Sequence, residues 1–226
     1  MSPASHEPRE SFGPGLMTKV RRLPERARYD RAAVHAILDE GWVCHLGFPA
    51  GDRAAVLPTL YARVEDILYL HGAPANHALR STEAAVGACV AVTLVDGLVL
   101  ARSAFHHSVN YRSVVCYGPA SEVTDLEEKR AAMLAIVDHV LPGRAGDARP
   151  PSKEELRATR VTKFVIAEAS AKVRAGGPKE DPEDLALEGI WAGEVPLRVV
   201  AGNPVPDSGV AAPVPGYVRR YNRPRL

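Results

Sequence analysis

The sequence predicts a mainly β protein, an antiparallel barrel with helices at its periphery. Three observations carry that prediction. Between Trp42 and Ala171 the apolar residues fall in short, strand-length runs separated by tight turns. Only two long segments have helical spacing, and they flank the strand runs instead of alternating with them. No GxGxxG or Walker pattern marks a doubly wound nucleotide fold.

The elements follow in order. Residues 1–28 are polar, basic and Pro/Gly-containing, and read as an N-terminal arm, loose or packed on a partner. A helix is expected over Asp30–Glu40, with Asp30 as cap, Ala33, Val34, Ile37 and Leu38 as apolar stripe and Gly41 as stop. Trp42–Phe48, Ala54–Arg63 and Ile67–His71 form a meander, turning at Pro49–Asp52 and Glu65-Asp66. Pro58 inside the second strand places that position at an edge, a bulge or a ligand. Ala75–Ser81 reads as a short helix. Val86–Val95 and Leu98–Arg102 read as a hairpin about Asp96-Gly97. Ala104–Ser108 and Tyr111–Val123 continue as strand. A second long helix, Asp125–Leu141, opens on a capping-box pattern, Asp125 with Glu128, and ends at Pro142-Gly143. Thr162–Ala171 closes the core as a last strand. Beyond it composition shifts, Trp191 stands in Gly-Ile-Trp-Ala-Gly, and residues 198–226 form a Pro-rich extension.

Composition bounds the function. With 46% apolar residues in 226, the chain supports a sizeable core, and a net charge of +1 gives no general case for nucleic acid or an anionic membrane. No run of about 18 apolar residues suggests a membrane span, and the first residues carry no secretory pattern. Cys44, Cys89 and Cys116 have no regular spacing, which predicts reduced, buried thiols in a cytoplasmic protein and no metal site.

Four segments together resemble the flavin-nucleotide-binding, nitroimidazole-resistance-like branch of the pyridoxamine 5'-phosphate oxidase-like superfamily. They are Leu57-Pro58-Thr59-Leu60-Tyr61, the run from Leu68 to Arg80, the run from Ser108 to Ala120, and Trp191 with its glycines. The match in spacing and order covers roughly residues 28–197. The resemblance implies an FMN-binding split β-barrel with Greek-key-like antiparallel order over residues 29–197. It also implies a homodimer with the cofactor at the interface. Carried over residue by residue, Pro58, Thr59, Leu60 and Tyr61 should run beside the isoalloxazine ring. His71, Gly72, Asn76, Arg80 and Ser81 should lie near the ribityl and phosphate end. Tyr111, Arg112 and Ser113 should line the same site, and Trp191 should approach the ring. Many relatives carry a lysine after the strand-three histidine, and none stands between His71 and Arg80 here.

The residue types suit that ligand. Arg80 and Arg112 offer planar forks for a phosphate, a helix starting near Ala75 offers unpaired amides, and backbone N–H groups tune a flavin's potential. Taken alone, His71 reads as a strand-end histidine bonded to a carbonyl, Arg112 as an ion pair, Pro58 as an edge marker and Tyr111 as strand packing. Trp191 alone reads as a tail anchor in a hydrophobic slot. His106 and His107 point to opposite faces of a strand and cannot share one ion. His71, His77, His106 and His107 are the candidate haem ligands, since some relatives bind haem.

The expected function is a flavin-dependent oxidoreductase that moves a hydride or electrons between FMN or FAD and a small organic substrate. The alternatives are a non-catalytic flavin- or haem-binding carrier or sensor and a deazaflavin-dependent reductase.

Overall fold

Asp30 is extended and its carboxylate accepts the Ala33 N–H at 2.8 Å, so a helix starts there. The computed structural model, which describes residues 10–84 and 88–221, places α1 over Arg31–Glu40. Val34, Ile37 and Leu38 are buried, and the Gly41 N–H closes on the Ile37 carbonyl. The other helices are α2 (His77–Ala84), α3 (Leu126–Val140), α4 (Arg144–Asp147), α5 (Lys153–Arg157), α6 (Pro182–Leu185) and α7 (Gly216–Arg219). The strands are β1 (Ala27–Arg28), β2 (Val43–Ala50), β3 (Arg53–Val64), β4 (Ile67–Gly72), β5 (Cys89–Leu100), β6 (Ser108–Tyr117), β7 (Ala120–Glu122), β8 (Arg160–Val165), β9 (Glu168–Arg174) and β10 (Gly193–Pro196).

All strand pairs are antiparallel, in the order β1-β9-β6-β5-β2-β3-β4-β8-β7, with β10 added to β5. This mainly β architecture with peripheral helices is that of a split barrel. The split lies in β3: Arg53–Leu60 pair with β2, and Tyr61–Val64 pair with β4. Even-numbered residues of β3 face outward. Ala62 is covered by α3, with Tyr69, Ala132, Ile136 and Val161 around it. Val56, Pro58 and Leu60, on the uncovered half, are exposed. Odd-numbered Tyr61 joins the main core with Val34, Leu38, Leu46, Leu70, Val90 and Phe164.

Several boundaries differ from the sequence expectation. Asp96-Gly97 is not a hairpin turn. β5 continues through it to Leu100 and carries a bulge between Val95 and Gly97. The bulge shifts the inward set from Val90 and Val92 to Gly97 and Val99, so one long strand stays amphipathic on both sides of it. Ala104–His106 is a 3-10 turn capped by Ser103, where strand was expected. The expected strand Tyr111–Val123 is broken at Gly118-Pro119, where the chain packs so closely that a Cβ on Gly118 would lie 1.8 Å from the Val165 carbonyl oxygen. Thr162–Ala171 is two strands, β8 and β9, separated at Ile166-Ala167. Asp125 does cap α3, accepting from Glu127 and Glu128 N–H. Glu128 does not complete a capping box: it bonds the Tyr69 hydroxyl and Lys163 instead. The expected strand start at Val86 lies outside the described residues, as do residues 1–9 of the arm and 222–226 of the extension. Of the rest of the arm, Thr18 is buried and Ala27-Arg28 pair with β9.

The three cysteines are free, with Cys44 and Cys116 buried and Cys89 half-buried. Burial pushes the Cys44 thiol up to about 12 and raises Cys116 further, so neither is a reactive thiolate. Among the described residues no helix is long and apolar enough to cross a membrane.

Candidate functional site

The β3–β4 ladder pairs Val64 with Ile67, Arg63 with Leu68, Ala62 with Tyr69 and Tyr61 with Leu70, and there it stops. Continued, the register would set Leu60 against His71 and Thr59 against Gly72. Instead Arg53–Leu60 stays with β2, while His71 and Gly72 stay with β8. The strands diverge and leave a notch with a bare backbone edge on the β3 side. Pro58 belongs there, because its missing N–H disturbs no ladder when it faces the open edge. Alternate residues of a strand share a side, so the Leu60 N–H also faces the notch.

The other wall is the end of β4 and the start of α2. Asn76 caps α2, its Oδ1 accepting the Leu79 N–H at 3.2 Å. Its amide lies against Gly72, where a Cβ would come 2.7 Å from Asn76 Nδ2; glycine permits that approach. His71 is half-buried, and its Nδ1 is shielded from solvent with no hydrogen-bond partner. Burial holds its imidazole pKa below the ordinary value. An unpartnered buried nitrogen costs about 1–3 kcal/mol, which a ligand atom bonded there would recover. Arg80 on α2 is exposed and has no ion pair among the described residues. Ser81 Oγ lies 3.4 Å from His77 Nδ1, with His77 exposed at the first position of α2. His71, Gly72 and Asn76 thus lie together where β4 leaves β3, across from Pro58, Thr59 and Leu60, whereas among the described residues no hydrogen bond or ion pair joins Arg80 or Ser81 to this group.

The remaining expected residues lie apart from this group. Tyr61 is fully buried and donates its hydroxyl to the Leu38 carbonyl, so its side chain serves the core. Tyr111 and Ser113 share the outward face of β6, while Arg112 points inward with Asn110 and Val114. There Arg112 uses four of its five N–H donors. Its Nε and Nη2 donate to Asp96 at 2.9 and 2.8 Å, and its Nη1 and Nη2 donate to Glu40 at 2.5 and 2.8 Å. These bonds, Asp96 first and Glu40 second, raise its pKa and fix its charge. No contact joins Arg112 to Arg80. Trp191 is 63% exposed, so no hydrophobic slot receives it; its ring lies against Gly193, the first residue of β10. His106 Nε2 lies 3.0 Å from Asp181, and His107 Nδ1 lies 3.0 Å from the Ser103 carbonyl.

Sequence reasoning missed the partners of Arg112. Glu40 ends α1, and Asp96 was hidden by its resemblance to a turn residue; it is the extra residue at the β5 bulge. A cleft of about 270 Å³ beside this cluster is lined by Glu40, Trp42, Thr93, Leu94, Val95, Asp96 and Val199. A second missed network joins Arg174 to the Asn110 amide oxygen and the carbonyls of Gly176 and Gly177, while Asn110 donates to Glu194 at 2.6 Å.

Comparison with known proteins agrees with this architecture. The family model described as pyridoxamine 5'-phosphate oxidase matches residues 30–173. A flavocytochrome of Azotobacter vinelandii is 37% identical, with a TM-score of 0.86, over 92% of this chain and 98% of its own. An FAD and haem binding protein of Mycobacterium smegmatis is 32% identical, with a TM-score of 0.80, over 86% of this chain and 96% of its own. A Bacteroides thetaiotaomicron protein described as a candidate for 5-nitroimidazole antibiotic resistance shares the fold. It is 24% identical, with a TM-score of 0.56, over 65% of this chain and 86% of its own. No curated protein matches the chain.

Proposed function

The chain belongs to the pyridoxamine 5'-phosphate oxidase family, and on that premise we propose that it is a flavin-binding oxidoreductase using FAD or FMN. The observation that carries this reading is the stopped ladder at Tyr61 and Leu70, with an unpartnered His71 Nδ1 on one wall and a bare strand edge on the other. A flat ring with polar edges suits a bare backbone edge, and an anion suits the free guanidinium of Arg80. When bound, the flavin supplies the hydride or electron-pair chemistry. The chain's part is to orient it. The Leu60 N–H and Pro58 carbonyl bond the ring edge, His71 Nδ1 meets a polar atom of the ligand, and Asn76, Arg80 and Ser81 hold its phosphate end. Arg112 acts from behind: it locks the end of α1 to β5 and so fixes β2 and β5 beneath the site.

The outer face of β2, β3 and β5 supports a homodimer. Val43, Val56, Leu60 and Val95 are 45, 65, 38 and 49% exposed, with no helix over them. A second copy would cover this apolar face and bring Tyr111, Ser113 or Trp191 to its neighbour's notch.

FAD with haem is favoured by two relatives that cover most of this chain, the flavocytochrome and the FAD and haem binding protein. His107 fits as an iron ligand. Its Nδ1 is placed to donate to the Ser103 carbonyl, leaving an exposed Nε2 open, the arrangement that orients many metal-bound histidines. Val109, Leu98 and Val195, paired across β6, β5 and β10, give an exposed apolar row nearby.

The test is the visible spectrum of freshly purified protein, with mass analysis of the released ligand. Flavin absorption and an FAD or FMN mass are expected, and a Soret band on haem addition should be lost in His107→Ala. A colourless protein that takes up no flavin overturns the reading. Steady oxidation of reduced nicotinamide separates an oxidoreductase from a carrier.

A further inference from the structure

We propose that His106, Asp181 and Asp184 form a divalent-metal site that clips the C-terminal segment onto the barrel. One ligand atom from each lies within 4.8 Å of the other two, and His106 Nε2 is 3.0 Å from Asp181 Oδ2. Nitrogen and oxygen ligands about 2.0–2.2 Å from one Zn²⁺ stand roughly 3–4.4 Å from each other, so a small side-chain rotation closes the set.

The donors come from separate parts of the chain. His106 ends the 3-10 turn between β5 and β6, and the two aspartates belong to α6 and its cap position. Asp181 occupies the N-cap but makes no capping bond to the α6 amides; its carboxylate turns to His106 instead. The neighbouring Glu180 already fastens this segment. It accepts from the Arg102 backbone N–H at 2.6 Å and from the Arg102 guanidinium at 2.5 Å. Glu180 is thereby neutralised by Arg102, whereas among the described residues Asp181, Glu183 and Asp184 have no ion pair apart from that of Asp181 with the imidazole of His106. A dication answers that excess charge. One imidazole with two carboxylates selects a borderline ion such as Zn²⁺ over Mg²⁺, which prefers all-oxygen ligands. The remaining positions face solvent, because Asp181 is exposed and Asp184 and His106 are half-buried. The segment clipped in this way leads directly to Trp191 and β10, so the ion would set the order of the stretch that resemblance places over the cofactor.

The experiment titrates Zn²⁺ into the full chain by calorimetry and follows amide hydrogen exchange over residues 180–187. One tight equivalent is expected, with slowed exchange in that stretch. His106→Ala and Asp184→Asn should each weaken it roughly tenfold or more and abolish the slowing, and Mg²⁺ should not compete. Neither residue belongs to the buried core, so the folded barrel persists. Zn²⁺ uptake unchanged by either substitution, or no slowing of exchange in the wild-type chain, overturns the proposal and leaves His106–Asp181 as an ion pair only.

Discussion

Arg112 and Arg80 stand in two regions that treat charge in opposite ways. Around Arg112 four of the five N–H donors are used: Glu40 and Asp96 take the fork from two sides in a half-buried setting. Around the notch, Arg80 has no ion pair among the described residues and the His71 Nδ1 has no partner. The first region is closed and holds elements together. The second has unmet bonding capacity, which is what a ligand site requires before its ligand arrives.

The largest effect that sharpens this contrast is expected from Arg112→Ala. Removing the cation leaves two carboxylates without compensation, and stability should fall by about 3–5 kcal/mol in urea denaturation. The flavin held per folded molecule should change little. A large loss of flavin with intact stability would break the distinction and return Arg112 to the cofactor. Arg80→Ala should do the reverse. Its flavin affinity should drop by about tenfold, or about 1.4 kcal/mol, as read by fluorescence titration, while stability moves by less than about 0.5 kcal/mol.

Gly72→Ala comes next. The new Cβ meets the Asn76 amide at 2.7 Å, so Asn76 must leave its capping position, at a cost of about 1 kcal/mol. A shifted melting curve with weaker flavin binding is expected. An unchanged curve would mean that Asn76 has room to move.

The smallest effect is a titration. Burial holds His71 below its ordinary 6.5 in the folded chain. As pH falls through 6.5, the unfolded chain takes the proton first, so stability declines with acidification until the folded imidazole is protonated too. His71→Gln should flatten the pH profile of apo-protein stability over that window. The flattening is partial, because His35, depressed mainly by burial, titrates in the same direction. Bound flavin that engages Nδ1 should steepen the wild-type dependence of flavin affinity on pH and leave the variant's flat.

The notch was only partly legible in advance. Pro58 within a strand signalled an edge, because the effect of its missing N–H is local. An ion pair at Arg112 was legible as one reading, but its inward turn and its partners were not. Glu40 is 72 residues away in sequence. Asp96 lies within β5, at its bulge, where Asp-Gly suggests a turn. The close approach at Gly118 was hidden for a similar reason: the contact that demands glycine is the Val165 backbone of β8, which no neighbouring residue announces.

By itself the sequence determined the elements whose causes are short-range. These are α1 and α3 with their aspartate caps, the β2–β3–β4 meander, and an antiparallel order with no nucleotide motif. Capping, periodicity and turn chemistry act over a few residues, so they are written in the chain. Tertiary structure decided where β3 leaves β4, which face of β3 α3 covers, and which arginine is consumed by carboxylates. Those outcomes depend on burial and on groups brought together from distant positions, and burial exists only once the sheet has closed.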